Sequence, residues 1–209
     1  EQLGNRLHDC HVDDNQNVWI VAAGTGVIQQ YSSDGSELLL QIGESDRYDS
    51  SDGTREGRPL NSDRAKFFFP ASVDVDPENG DIYIADGETP GGNYRIAVLD
   101  RQGLFLRQWS LHRTEDERDL TPLPHCLRIA NDGLVYVCDR RADRIQVFDR
   151  MGTFIRNIDV PWPAHVPPMN RRGVTRGTAV VVAFSPDPEQ RHMFVLNQNS
   201  AMVNVLDRQ

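Results

Sequence analysis

The chain has 209 residues, 38% hydrophobic and 25% charged, with 16 glycines and 12 prolines, an ordinary globular make-up with many turns and enough length to bury a core. Lys and Arg number 22 against 31 Asp and Glu, a net charge of −9, which argues against nucleic acid or an anionic membrane surface as a partner. The longest apolar runs, such as residues 179–184, are far too short for a bilayer-spanning helix.

The predicted elements are short strands in repeated groups. In chain order the groups cover about 7–43, 70–110, 124–159 and 177–209. Each begins with an apolar strand and a turn carrying Asp or Asn and Gly. A second strand ends in a small residue and often Asp, a third carries Arg-Ile-x-Val, and a Gly turn leads to a fourth. The third group is the plainest: LRIA (127–130), NDG (131–133), LVYVCD (134–139), RIQVF (144–148), RMG (150–152) and TFIRNI (153–158). Alternating apolar residues joined by tight Gly turns specify antiparallel strands, not helices. Residues 95–109 (RIAVLDRQGLFLRQW) and 144–158 (RIQVFDRMGTFIRNI) lie 49 positions apart and share eight of fifteen residues, and VNVLDRQ at 203–209 is a partial third copy. A period of this size marks a repeat architecture. Four-stranded units of this grammar are the blades of a β-propeller, so the expected fold is all-β. Segments 44–66, 111–123 and 160–176, rich in Ser, Asp, Arg and Pro, read as long surface loops suited to carrying function.

The text ends where the other copies turn into a fourth strand. The expectation is about four blades of a longer, six-bladed ring, or an open edge covered by another chain. Glu1 is not an initiator methionine and no signal peptide is visible, so the expectation is that an upstream segment has been removed and that the protein is extracellular or periplasmic. Cys126 and Cys138 flank the turn near Asp132 and are able to face each other across a hairpin as a disulfide. The alternative is that all three cysteines, Cys10 included, are small buried hydrophobes.

Two histidines occupy matching places at the start of a first strand, His8 in LHDCHVD and His125 in PHCLRI. First strands line the channel of a propeller, so equivalent positions converge, and two imidazoles there are able to share a metal ion; zinc accepts neutral imidazole nitrogen. The alternative is that each caps its strand by hydrogen bonding. His11 alternates with Val12 and is expected to pack between blades, and His112, His165 and His192 fall in loops or turns.

The stretches LHDCHVDDNQNVWIV, FFFPASVDVDPENGDIYIADG and PHCLRIANDGLVYVCDRRADRIQVF resemble the NHL-repeat propellers, and among them the peptidyl-α-hydroxyglycine α-amidating lyases and their bacterial relatives. The resemblance covers nearly the whole chain. It implies cleavage of the N–Cα bond of a C-terminal α-hydroxyglycine, giving a peptide amide and glyoxylate, at a zinc held by three histidines. His8 and His125 match two of these. Arg140, after the Asp that ends a second strand, matches an arginine suited to hold the substrate carboxylate. A rim ion pair with Asp139 or Asp143 is the alternative for Arg140. The resemblance also implies a calcium bound through the main-chain carbonyl at Cys10. The family's catalytic tyrosine directly follows an Asp-Gly pair; here Asp86-Gly87 is followed by Glu88, and the tyrosine is Tyr94, beyond the insertion TPGGN. Tyr94 reaches that place, Glu88 replaces it, or the position holds no base. The third histidine is expected beyond residue 209 and a further arginine upstream of Glu1.

Two other readings fit the residues. One is a non-catalytic propeller binding a protein or glycan through its long loops. The other is a calcium-dependent, lactonase-like hydrolase using Asp86, Asp139 and Asn197, which end second strands; at that position such residues also serve structurally, by closing the turn.

Overall fold

The computed structural model describes residues 6–58, 60, 65–113, 121–164 and 179–208. These residues form fifteen β-strands and no helix, hence no helix long and apolar enough to cross a membrane. The chain divides into two compact units, residues 1–110 and 111–209. The first holds two four-stranded sheets, β1 (Leu7–Val12) to β4 (Leu38–Ile42) and β5 (Pro70–Val75) to β8 (Phe105–Ser110). The second holds a four-stranded sheet, β9 (Pro124–Ile129) to β12 (Phe154–Asp159), and a three-stranded one, β13 (Ala179–Phe184) to β15 (Met202–Asp207). Each sheet is an antiparallel meander, the topology of a propeller blade.

Residue pattern explains the layering. The second and third strands of the middle blades, β6 (Ile82–Asp86), β7 (Arg95–Leu99), β10 (Val135–Asp139) and β11 (Arg144–Phe148), are buried at every position. Their apolar, β-branched and aromatic runs are covered on both faces. Outer strand β12 alternates half-buried and exposed residues, as a strand with one solvated face must. In the first unit the inner strands β1 and β5 pack together around a core that includes Trp19, Ile28, Phe67, Val73 and Ile84. In the second, β9 packs on β13 around Tyr136, Ile145, Val182 and Val195.

The repeated Asp-Arg-x-Gly closes the turn before the fourth strand. Asp100 Oδ1 accepts from the N–H groups of Gln102 and Leu104, both at 2.9 Å. Asp149 Oδ1 does the same for Met151 (2.9 Å) and Thr153 (2.8 Å).

The Asp that ends a second strand and the Arg that opens a third form a buried pair. Arg95 Nε lies 2.9 Å from Asp86 Oδ2, and Arg144 Nη2 lies 2.9 Å from Asp139 Oδ2. Asp86 also accepts from the Phe68 N–H (2.7 Å) and Asp139 from the Leu123 N–H (3.1 Å). Asn197, the corresponding residue of β14 (His192–Asn197), donates to Asp143 Oδ1 at 3.1 Å. Burial, the largest influence, pushes the pKa values of Asp86 and Asp139 up despite their arginines.

Cys126 and Cys138 form a disulfide, Cα–Cα 5.0 Å, joining β9 to β10. Cys10 is exposed. The disulfide reading therefore holds, and the alternative of three small buried hydrophobes is corrected: Cys126 and Cys138 are buried but bonded, and Cys10 is not buried. The reason is local: β1 leaves Cys10 on its solvated side, whereas Cys126 and Cys138 lie opposite each other beside a bulge.

Candidate functional site

Each inner strand begins with the same irregularity. In β1, Leu7 pairs with Ala22 but Asp9 with Val21, so His8 is an extra residue. In β5, Pro70 pairs with Asp86 but Ser72 with Ala85, leaving Ala71 extra. In β9, Pro124 pairs with Asp139 and Leu127 with Val137, so residues 125 and 126 face residue 138 alone. In β13, Ala179 pairs with Asn197 but Val181 with Leu196, leaving Val180 extra. A β-bulge of this kind frees one residue from the ladder and re-aims its side chain and carbonyl.

The bulges are used in pairs. His8 Nδ1 donates to the Ala71 carbonyl at 2.8 Å. His125 Nδ1 donates to the Val180 carbonyl at 3.0 Å. In both units a histidine on the bulge of one blade is tied to the bulge of the next. A carbonyl oxygen can only accept, so Nδ1 carries a proton and Nε2 is the ring nitrogen on the other side. Metal-binding histidines are oriented in this way by a carbonyl on the far ring nitrogen. The tie also realises the hydrogen-bonding alternative for both histidines.

Glu88 meets His8 on that side. Glu88 Oε2 lies 2.7 Å from His8 Nε2, and the Glu88 side chain is only 5% exposed. The half-exposed Arg6 guanidinium approaches the same oxygen at 3.6 Å. Burial, the largest influence, disfavours the imidazolium, but the hydrogen bond and charge of Glu88 and the Ala71 carbonyl outweigh it and raise the His8 pKa. The Glu88 backbone is fixed through the Phe69 carbonyl, which accepts from Gly87 N–H (3.1 Å) and Glu88 N–H (2.9 Å). Gly87, at φ +109°, packs where a Cβ would lie 2.3 Å from the Tyr94 nitrogen, so the turn requires glycine there.

Tyr94 sits in the same turn at φ +52°, and its hydroxyl accepts from the Gly91 N–H at 2.8 Å. Of the candidates for this position, the one beside His8 is Glu88. Arg140 Nη2 donates to Gln198 Oε1 at 3.1 Å. The Asp139 carboxylate is taken by Arg144, and Asp143 by Asn197. His11 Nε2 reaches Asp74 Oδ1 at 2.9 Å, linking β1 to β5 between blades. The His112 ring stacks on Phe154 at 4.1 Å, and the His192 N–H donates to Ser185 Oγ. His165 lies outside the described residues.

Within the first unit, the groups of metal-binding type are His8 Nε2 and the buried Glu88 carboxylate; within the second, it is His125 Nε2, oriented by its carbonyl. All are zinc-binding types.

A model of the NHL repeat matches residues 121–148, from just before β9 to the end of β11. Over 159 residues, 72% of this chain, the sequence is 29% identical to peptidyl-glycine alpha-amidating monooxygenase B of Xenopus laevis, covering 16% of that protein. Over 143 residues, 65% of this chain, it is 34% identical to NHL repeat-containing protein 3 of Homo sapiens, covering 36% of that protein. Among solved structures, 96% of the chain superposes on 54% of a streptogramin B lyase with a TM-score of 0.54 at 13% identity, a likeness of fold. The chain thus spans much less than two thirds of the curated relatives it matches and about half of that solved chain. It is a β-propeller chain that carries an NHL repeat at 121–148 and is distantly similar to the amidating monooxygenase.

Proposed function

We propose that the protein containing this chain is a metal-dependent lyase of the amidating type. It would cleave a peptidyl α-hydroxyglycine, or a similar small hydroxylated amide, into an amide and glyoxylate. The observation that carries this reading is the shared mounting of His8 and His125. Each sits on the bulge of an inner strand, with Nδ1 bound to the bulge carbonyl of the next blade, which orients Nε2 on the other side of the ring. His8 and His125 serve as two of the zinc ligands. A zinc ion so held supplies a Lewis acid that lowers the pKa of the substrate hydroxyl. Arg140 orients the substrate by paired hydrogen bonds to its carboxylate. Tyr94 is the residue that the resemblance carries over as base for the hydroxyl proton. That proton's departure, with electron flow into a C=O bond, breaks the N–Cα bond and leaves nitrogen to be reprotonated as the amide. The Cys126–Cys138 disulfide supports an oxidising, extracellular or periplasmic setting.

The test is glyoxylate release from a peptidyl α-hydroxyglycine by the zinc-loaded protein. Release should stop on chelation and return with zinc, and Arg140→Ala should raise KM by about 10-fold or more, the loss of a charged hydrogen bond. No release by a folded, zinc-loaded protein would overturn the lyase reading in favour of a non-catalytic binding propeller.

A further inference from the structure

Glu88 is placed for more than the role of a substitute base. We infer that it is a metal ligand, a buried carboxylate coordinating the same ion as His8. The inference rests on the metal-dependent reading above and adds a residue to it.

The argument is one of hydrogen-bond bookkeeping. His8 Nδ1 faces a carbonyl oxygen, which has no proton to offer, so in the neutral ring the single N–H is on Nδ1. Nε2 then presents a lone pair, and it faces Glu88 Oε2 at 2.7 Å. In the metal-free protein a proton on Nε2 joins the two groups at that distance; a divalent ion that displaces this proton meets the same nitrogen and the same carboxylate. Arg6 does not fill this position, because its half-exposed guanidinium approaches Glu88 Oε2 from 3.6 Å.

The surroundings favour a built ligand over a chance surface contact. The Glu88 side chain is 5% exposed. Its backbone and that of Gly87 are pinned to the Phe69 carbonyl. The turn that delivers it has a glycine at φ +109° that no side chain can replace without collision. A carboxylate held out of water on a rigid turn costs free energy unless a cation meets it. Histidine nitrogen with a glutamate oxygen is a common donor set for zinc, and three protein ligands with an open position make a catalytic site. Glu88 thus adds a carboxylate oxygen beside the His8 nitrogen. The Asp-Gly-Glu sequence, in place of the Asp-Gly-Tyr of the resembled family, becomes a change of ligand chemistry.

The experiment uses the full chain and zinc alone as probe. Zinc affinity is measured by competition with a chromophoric chelator for the wild type and Glu88→Gln, with thermal melting to confirm that both fold. X-ray absorption of the loaded proteins reads the ligand shell. The inference predicts that Glu88→Gln weakens zinc binding by more than about 100-fold, beyond the 10–100-fold typical of residues that only support a ligand. It also predicts loss of an oxygen scatterer at about 2.0–2.2 Å. Wild-type affinity in Glu88→Gln, with zinc still lost in His8→Ala, would overturn Glu88 as ligand and leave the metal reading standing. A folded wild type that takes up no zinc would overturn both.

Discussion

The two units build the same histidine mount and follow it with different turns. In the first, the turn after β6 brings the buried Glu88 carboxylate to 2.7 Å from His8. In the second, the corresponding stretch after β14 begins with Gln198, whose amide oxygen accepts from Arg140 at 3.1 Å. The bulge and the carbonyl tie on Nδ1 belong to the repeat and recur. The charge belongs to the segment between β6 and β7, which does not recur. A repeat fold thus fixes where a ligand atom points, and each blade's irregular turn decides what chemistry it meets.

The same division appears in the buried pairs, where the largest effect is expected. Arg95, 1% exposed, joins both Asp86 and Asp49 (3.1 Å) and donates to the Lys66 carbonyl (2.8 Å). Arg144, 7% exposed, pairs with Asp139. Removing either arginine strands buried charge, at a cost of about 3–5 kcal/mol. Arg95→Ala should cost more than Arg144→Ala, because it strands two carboxylates. Urea unfolding of the two variants checks this; equal losses would contradict the comparison.

The next effect in size should be confined to the second unit. The Cys126–Cys138 bond closes a loop of 12 residues in sequence and has no counterpart at Cys10. Cys126→Ala with Cys138→Ala should destabilise the protein by about 3 kcal/mol, and reductant should lower the melting temperature of the wild type but not of this variant. Cys10→Ala should change neither.

The smallest effect belongs to a hairpin turn of the first unit. Asp13 accepts from the N–H groups of Asn15 and Asn17 and from Trp19 Nε1, all at 2.8–2.9 Å. Burial, the largest single influence, favours its neutral acid, but hydrogen bonds from Trp19, Asn17 and Gln30 outweigh it and lower the pKa. A carboxylate with a depressed folded-state pKa contributes stability that is present above the unfolded value of about 3.9 and is lost as pH falls through the folded value. Unfolding free energies between pH 5 and pH 2 should fall less steeply in Asp13→Asn than in the wild type. Parallel curves would show that these bonds do not favour the ionised form.

Much of the fold was legible in the sequence because its causes are periodic. The alternation in RIQVF and TFIRNI, and the Asp-Arg-x-Gly turns, place the strands of the third blade within a few residues of their observed limits. His8 and His125 were legible as equivalent positions for the same reason. The atoms that orient them were not. The carbonyls of Ala71 and Val180 are main-chain groups exposed by a register shift, and no residue type announces them. Glu88 was legible only as one of several alternatives, because its approach to His8 depends on the path of a turn held by Gly87 and by the Tyr94 hydroxyl on Gly91. The roles of Asp86 and Asp139 were ambiguous in sequence, since a carboxylate that ends a strand serves a metal or an arginine equally well. The buried Arg95 and Arg144 are the observed partners.

The central claim is that the tied histidines are metal ligands. The most direct test is zinc content by elemental analysis after incubation with zinc and removal of the excess, for the wild type, His8→Ala and His125→Ala. The account predicts about one zinc per wild-type chain and loss of that zinc in both variants, each still folded. Zinc retained in both variants, or none taken up by the wild type, would contradict it and leave His8 and His125 as residues that only hold one blade to the next.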